Sequence, residues 1–174
     1  IDEETGYRGL FGVIANAEVR NVVLSNASIH GFGNIGGVAG MSVESTIQNV
    51  RVHGNIIGIQ SVGGIAGMCQ SGTVTECINY GSLTNQDAVM VGGIAGAIVE
   101  GTIRNSMNFG EISAGEVVGG IAGATMMAAV ENCVNAAAIE ASPEKTGEAM
   151  GGMFYGTGGI VGCQIGGTLS NVLC

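Results

Sequence analysis

A glycine-centred motif recurs along this chain and constrains its fold more than any other feature. The motif occurs as GLFG, GGVAG, three times as GGIAG, and as GGIVG, and its last glycines are Gly12, Gly40, Gly67, Gly96, Gly123 and Gly162. Successive copies are therefore 28, 27, 29, 27 and 39 residues apart. Repetition at a period of about 20–50 residues is typical of solenoids and arrays. A glycine-rich phosphate loop is the competing interpretation. A protein needs such a loop only once, whereas this motif recurs, and the Lys that follows the glycines of a phosphate loop is missing here.

Each repeat contains three short strand-like pieces separated by turn residues. In the third unit these are VGGIAGAI, GTIRNSM and FGEISAG. Copies that stack in parallel about 4.8 Å apart turn each piece into one strand of a long sheet. The sequence thus predicts an all-β fold, a short parallel β-solenoid of about six coils with 27–29 residues per coil. A β-propeller is the alternative, but its blades need four antiparallel strands and about 40 residues.

The repeats extend over the whole chain, so we treat residues 1–174 as a single domain. The step from Gly123 to Gly162 is about eleven residues longer than the others, which predicts a loop insertion at 141–157. The chain begins without an initiator Met or a secretion leader and stops part-way through a repeat. We therefore expect it to be a piece of a longer exported protein that carries neighbouring domains.

Stacking places equivalent residues of successive repeats in columns. Two columns consist of branched aliphatic residues, which suit buried, pleated strands, and are predicted to form the core. The first column is Val19, Ile47, Val74, Ile103, Val130 and Leu169, and the second is Ile29, Ile56, Leu83, Ile112 and Ile139.

Asparagine and glycine also form columns. Asparagine tolerates turn geometry and carries both a donor and an acceptor, so stacked copies can pass hydrogen bonds from coil to coil. A polar ligand groove is the alternative interpretation. A glycine row lets an opposing backbone or side chain approach closely, which predicts a thin coil. The asparagine columns are Asn21, Asn49, Asn105, Asn132 and Asn171 (with Glu76 in the third repeat) and Asn79, Asn108 and Asn135; the glycine row is Gly37, Gly64, Gly93, Gly120 and Gly159.

The composition excludes several classes of function. The formal net charge is −9 with only five Lys and Arg residues, whereas nucleic acids and anionic membranes attract basic surfaces. No apolar run approaches the roughly 20 residues of a membrane span. We therefore expect neither nucleic-acid binding nor membrane insertion.

These motifs resemble the GLUG repeat family. The similarity rests on GLFG at 9–12, the recurrent GGIAG, the element Gly101–Thr102–Ile103 followed by Asn105, and the N-x-G elements at 79–81 and 108–110. It covers residues 7–174 apart from the insertion. The fourth unit departs from the pattern, because AAVENCVNAAA replaces the Thr and the late Gly.

The resemblance implies an origin in a large exported bacterial protein. Such repeats occur in adhesin-like surface proteins and in some immunoglobulin-A-cleaving metalloproteases. In those proteins they look like modules without a catalytic role. It therefore implies a secreted or cell-surface location on a bacterium. The family motif carries no catalytic residues that could be transferred to this chain.

The residue types that usually carry chemistry are sparse. His30 and His53 are interpreted as surface turn residues, and no H-E-x-x-H motif is present. The odd number of cysteines, without a C-x-x-C pair, indicates neither a disulfide framework nor a zinc site. We expect them to pack as small buried residues, with Cys77 and Cys133 in one column but two coils apart, beyond disulfide reach. The five are Cys69, Cys77, Cys133, Cys163 and Cys174.

An acidic active site is the main enzymatic alternative, because polysaccharide-processing enzymes also use parallel β-helices. Such sites need several carboxylates on one face. Here Asp occurs only at Asp2 and Asp87, and the other acids are mostly scattered. We therefore expect no enzymatic activity, no cofactor and no bound metal.

The sequence predicts a non-catalytic surface or secreted module that acts as an adhesin segment, a spacer or a display scaffold. The alternative is an accessory module that positions substrate for an exported protease or glycan-processing enzyme. Because solenoid insertions form loops that often carry binding residues, we expect any contact with a host glycan or protein at the insertion. The candidate contact residues are Glu144, Lys145, Phe154 and Tyr155. The competing interpretation is that Met153, Phe154 and Tyr155 cover the solenoid.

Overall fold

The computed structural model describes residues 6–141 and 156–174. Within these ranges the chain forms 22 β-strands and no helix. Equivalent strands of successive repeats pair in parallel, and the pairing follows the repeat. The chain is therefore a parallel β-solenoid, as the periodicity predicts. It completes about five turns and begins another, close to the six coils expected.

One side of each turn is a short strand that precedes or enters the glycine motif. These strands form a six-stranded sheet in chain order. They are β1 (Tyr7–Arg8), β4 (Asn34–Gly36), β7 (Ser61–Gly63), β12 (Met90–Gly92), β17 (Val117–Gly119) and β21 (Gly156–Gly158).

The other sides of the turns belong to a 16-stranded sheet that wraps around the coil. Four of its strands follow the glycine motif directly: β2 (Phe11–Ala15), β5 (Ala39–Val43), β8 (Ala66–Gln70) and β13 (Ala95–Val99). Four are long and continue around a corner: β3 (Glu18–His30), β6 (Thr46–Ile57), β18 (Ala122–Glu131) and β22 (Val161–Ser170).

The remaining eight strands of that sheet are two to four residues long, because the corners interrupt them. They are β9 (Thr73–Thr75), β10 (Ile78–Asn79), β11 (Ser82–Asn85), β14 (Thr102–Arg104), β15 (Met107–Asn108), β16 (Ile112–Ala114), β19 (Val134–Asn135) and β20 (Ile139–Ala141).

The strand register confirms both aliphatic columns. Ile47 pairs with Val74, which pairs with Ile103, and all three are fully buried. Leu83 lies between Ile56 and Ile112 in the same way. The ends are less buried: Val19, Ile29 and Ile139 are half-buried and Leu169 is 42% exposed, because the described chain places no further strand beside them. Stacked branched side chains thus form a continuous core along the solenoid.

The exposed asparagine column marks a corner of the coil. All six residues have a left-handed backbone with φ between 50° and 58°, a conformation that asparagine adopts more readily than most residues. The carboxamides bond along the column, for example from Asn49 Nδ2 to Asn21 Oδ1 at 2.7 Å and from Asn132 Nδ2 to Asn105 Oδ1 at 3.2 Å. The predicted ladder is therefore confirmed, with Glu76 as its one different member.

The second asparagine column lies inside the coil. Asn79 and Asn108 are fully buried and Asn135 is 6% exposed. Asn79 Nδ2 donates to Asn108 Oδ1, and Asn108 Nδ2 donates to Asn135 Oδ1, each at 2.9 Å. The alternative of a polar ligand groove is wrong for this column, because the three carboxamides are buried and bonded to one another.

The glycine row makes room for this interior ladder. A Cβ atom on Gly64, Gly93 or Gly120 would overlap the carboxamide of the interior asparagine on the same coil. The last glycine of the motif serves a different contact, since a Cβ atom on Gly67 would lie 2.5 Å from the backbone nitrogen of Ile35. Both rows therefore permit the thin coil that the sequence predicts.

The insertion begins and ends within strands. Strand β20 extends to Ala141, and β21 starts at Gly156, so the ends of the predicted insertion at 141–157 belong to the solenoid. Residues 142–155 lie outside the described part of the chain.

Candidate functional site

The contact residues predicted from the sequence cannot be located on this structure. Glu144, Lys145, Phe154 and Tyr155 all lie outside the described residues, as does Met153. The candidates for a binding site on this structure are therefore other surface features, formed by the described residues.

Three aromatic side chains on successive coils form a row along one corner of the solenoid. The rings of His53 and Tyr80 are stacked with centroids 4.6 Å apart, and those of Tyr80 and Phe109 are stacked with centroids 5.4 Å apart. Both interplanar angles are 10°. Tyr80 is 42% exposed and Phe109 is 44% exposed. We call these three residues the aromatic row.

The interior asparagines place two members of the aromatic row, Tyr80 and Phe109, at the surface. Asn79 Oδ1 accepts a bond from the Gly81 N–H, and Asn79 Nδ2 donates to the Gly81 carbonyl, both at 2.9 Å. This local loop turns the chain tightly, so that the residue between them, Tyr80, points away from the core. Asn108 binds Gly110 in the same way and turns Phe109 outward.

Backbone bonds keep the corner residues in line from coil to coil. The Tyr80 N–H donates to the Val52 carbonyl and the Phe109 N–H donates to the Asn79 carbonyl, both at 2.8 Å. The next corner residue, Ala136, donates to the Asn108 carbonyl at 2.9 Å. Ala136 therefore continues the column but has no ring. The aromatic row ends at Phe109, because the next residue of the column carries a methyl group instead of a ring.

Polar groups follow this end of the row along the chain, beginning with Glu111 two residues after Phe109. On the same two coils, a shallow groove of about 230 Å³ lies between β16 and β20. Its polar side chains are Glu111, Ser113 and Glu140, of which both glutamates are exposed. Ser113 and Glu140 face each other in register. Carboxylates accept hydrogen bonds only, whereas the Ser113 hydroxyl both donates and accepts.

A column beside the aromatic row is also largely apolar. Arg51 pairs with Ile78, Ile78 with Met107, and Met107 with Val134. Met107 is 39% exposed, and the aliphatic side chains continue next to Tyr80 and Phe109. Apolar groups therefore flank the rings on this side, and the one charged residue of this column lies at the His53 end.

A second apolar surface lies on the outer face of the strands that follow the glycine motif. A groove of about 170 Å³ there is bordered by Met68, Met90, Met126 and Ile165, with Ala97 and Ala124 at its floor. Nothing polar except Thr125 lines it. Thr125 therefore supplies the one hydroxyl in an otherwise hydrophobic groove, which leaves few hydrogen-bonding groups to orient a ligand.

The histidines lie in strands rather than in turns. His30 is the last residue of β3, and His53 lies within β6, so the expectation of turn positions is wrong. The alternation of the strand, not a turn, exposes His53 beside Tyr80. Across the described residues, no group of three or more His, Cys, Asp or Glu side chains is arranged to hold a metal ion.

The cysteines divide into buried and accessible thiols. All five are free, as expected from their spacing. Cys69, Cys77 and Cys133 are buried, whereas Cys163 is half-buried and Cys174 is exposed, so the prediction of buried packing holds for the first three. Burial raises the pKa of Cys69 to about 11 and that of Cys77 to about 12, which keeps both thiols protonated and unreactive at neutral pH.

Ser106 separates the two cysteines that share a column. Its Oγ accepts a hydrogen bond from the Cys77 N–H at 3.2 Å and donates to the Arg104 carbonyl at 2.9 Å. Cys133 lies on the following coil, where burial raises the pKa of its thiol. The intervening coil agrees with the expectation that these cysteines are too far apart for a disulfide.

Comparison with known proteins adds no relative. No family model matches the chain, and searches of curated proteins and of solved structures find no match either. In the described part of the chain, no helix is long and apolar enough to cross a membrane.

The aromatic row was not predicted, although the sequence holds a signal for it. Tyr80 and Phe109 are the middle residues of two N-x-G elements one repeat apart. His53 precedes Gly54 at the equivalent position, but a Val replaces the Asn before it. The signal is visible only when the middle position of the turn is compared across repeats.

Proposed function

We propose that this chain is a non-catalytic module of a secreted or cell-surface protein and that it presents a binding surface to the outside. One observation carries the proposal: the inward-facing aliphatic columns repeat the same kind of residue, whereas the outward-facing columns other than the exposed asparagine ladder change from coil to coil. Ile47, Val74 and Ile103 are interchangeable core residues. In an outward column on the same coils, Arg51 is followed by Ile78 and then Met107.

This contrast is what a display scaffold needs. Constant inward columns keep every coil at the same register, so that each outward side chain has a defined position. The outward positions can then vary without a cost to the core. In this chain they assemble the aromatic row, whose rigid rings offer contact area at a low cost in side-chain entropy. The resemblance to GLUG repeats supports an exported bacterial protein of the adhesin type.

A localisation experiment tests the exported part of the proposal. An antibody raised against the 174-residue chain is applied to intact and to lysed cells of the source organism. We expect labelling of intact cells or recovery of the antigen from the medium. Labelling that requires lysis would overturn the proposed location.

A binding experiment tests the non-catalytic part. The chain is incubated with a panel of oligosaccharides and extracellular proteins, and the mixtures are analysed by chromatography and mass spectrometry. We expect at least one member of the panel to be retained by the immobilised chain and recovered intact. Hydrolysis or any other conversion of a panel member would contradict a non-catalytic role.

A further inference from the structure

At the end of the aromatic row, the residue next in the column has no ring, which leaves space of about one ring thickness beside Phe109. We call this space the step over Ala136. Along the row, the ring centroids are 4.6 and 5.4 Å apart, close to the coil spacing. Ala136 occupies the next position of the column, held there by its backbone bond to Asn108. A side chain with a ring at this position would continue the stack. Because alanine is there instead, a ring from outside the chain can lie against Phe109.

The surroundings of this step select among ring-containing ligands. Next to Ala136 on the same coil, Ala137 and Ala138 carry only methyl side chains, and Ala138 lines the groove that contains Glu111 and Glu140. An apolar or aromatic ring would satisfy Phe109 but would offer no donors to the two carboxylates. A pyranose ring satisfies both, because its C–H face packs on an aromatic ring and its hydroxyls donate to carboxylate oxygens.

The negative charge of the groove narrows the class of sugar further. The two glutamates face the groove without a basic side chain among its lining residues, and the whole chain carries a net charge of −9. Sialic acids and uronic acids would therefore be repelled. The chemistry fits a sugar without a negative charge.

We propose that the step over Ala136 is a subsite for one uncharged pyranose residue of a glycan, which stacks on Phe109 and donates a hydrogen bond to Glu111. This inference rests on the proposed function, because it names the ligand class of the same presented surface. The rings of His53 and Tyr80 support Phe109 from behind and do not touch the sugar.

Substitutions at the step separate a binding role from a structural one. Ala136→Phe extends the stack by one ring and closes the subsite, so the melting temperature stays the same or rises while glycan binding falls at least 10-fold. Phe109→Ala removes the platform and also lowers binding at least 10-fold. The matched control is Phe32→Ala, which removes an equally exposed ring outside the aromatic row, 45% exposed against 44% for Phe109, and we expect it to keep the affinity.

The experiment uses a printed array of neutral, sialylated and uronic-acid-containing oligosaccharides, followed by calorimetric titration of the best neutral binder. The expected result is binding to neutral glycans that Ala136→Phe weakens at least 10-fold and Phe32→Ala leaves unchanged. Preference for acidic glycans, or neutral binding that Ala136→Phe leaves unchanged, would overturn the subsite. If the immobilised chain retains extracellular proteins from the panel described under the proposed function but binds no glycan, the subsite is overturned and the proposed function stays in place. Binding to nothing on either panel would reject both the subsite and the presented binding surface.

Discussion

Gly64 lies directly against the side chain of Asn79, so closely that a Cβ atom on the glycine would overlap the carboxamide carbon. The two residues are on the same coil, on opposite walls of the thin interior. Gly93 and Asn108 repeat the relationship one coil later. The recurrent glycine motif and the recurrent N-x-G element are therefore two sides of one packing contact.

This contact predicts that Gly64→Ala destabilises the solenoid by about 2 kcal/mol or more, because an overpacked interior must shift backbone or side chain. The measurement is urea denaturation followed by circular dichroism. The matched test is a double-mutant cycle with Asn79→Ala, which removes the overlap with the carboxamide but leaves the overlap with the Gly93 carbonyl oxygen. We expect Gly64→Ala to cost less in that background. Equal costs in both backgrounds would show that the two residues are not coupled.

The interior ladder predicts a large effect at Asn108. Its carboxamide makes four hydrogen bonds, two within its own turn and one to each neighbouring coil, and it is fully buried. Asn108→Ala leaves buried backbone groups without partners, so we expect a loss of about 3 kcal/mol or more in the free energy of unfolding. The control is Asn132→Gly in the exposed ladder, which keeps the left-handed backbone available and should cost less than about 1 kcal/mol. Similar losses for the two variants would refute the distinction between the ladders.

Glu76 predicts a stabilising substitution. It has φ of 56° in a column whose other members are asparagines, and glutamate adopts this conformation less readily than asparagine. Glu76→Asn should relieve this strain and connect Asn49 with Asn105 through the ladder, at the loss of the bond from Gln48 Nε2 to Glu76 Oε2. We expect a gain of about 0.5–1 kcal/mol, read as a higher denaturation midpoint. A lower midpoint would mean that the bond to Gln48 outweighs the backbone preference.

The buried thiols predict a loss of stability at alkaline pH. The ordinary thiol pKa of 9.0 is raised to about 11 at Cys69 and to about 12 at Cys77, chiefly by burial. Between pH 9 and 11 the unfolded chain releases these protons while the folded chain keeps them, so the free energy of unfolding falls as pH rises, by up to about 1.4 kcal/mol per pH unit for each thiol. Below pH 9 this contribution is fully present. In the Cys77→Ala variant, the free energy of unfolding should fall less steeply with pH above pH 9. An unchanged slope would contradict the raised pKa of the Cys77 thiol.

Thiol accessibility gives an independent check on the core. Cys174 is exposed, whereas Cys69, Cys77 and Cys133 are buried. In the native protein at pH 8, we expect a thiol reagent to modify Cys174 rapidly and to leave the three buried cysteines unmodified, as mapped by peptide mass spectrometry. In denaturant all five should react. Rapid native labelling of Cys77 would show that the coil interior is open.

The sequence by itself determined the fold class and the strand register. The repeat steps and the alignment of Ile47 with Val74 and Ile103 are visible in the chain, and only a parallel stack buries such a column. The corner positions of Asn105 and Asn132 were also predictable, because asparagine favours the turn geometry found there.

Only the tertiary structure decided which asparagines face inward and which residues meet at the surface. Asn79 and Asn105 belong to columns that look alike in the sequence, yet one is fully buried and the other exposed. The difference arises from the direction of each side chain at a corner, which depends on how the coil bends between strands rather than on residue type. The aromatic row has the same origin. Tyr80 and Phe109 are 29 residues apart in the chain, and their rings stack because neighbouring coils lie about 4.8 Å apart.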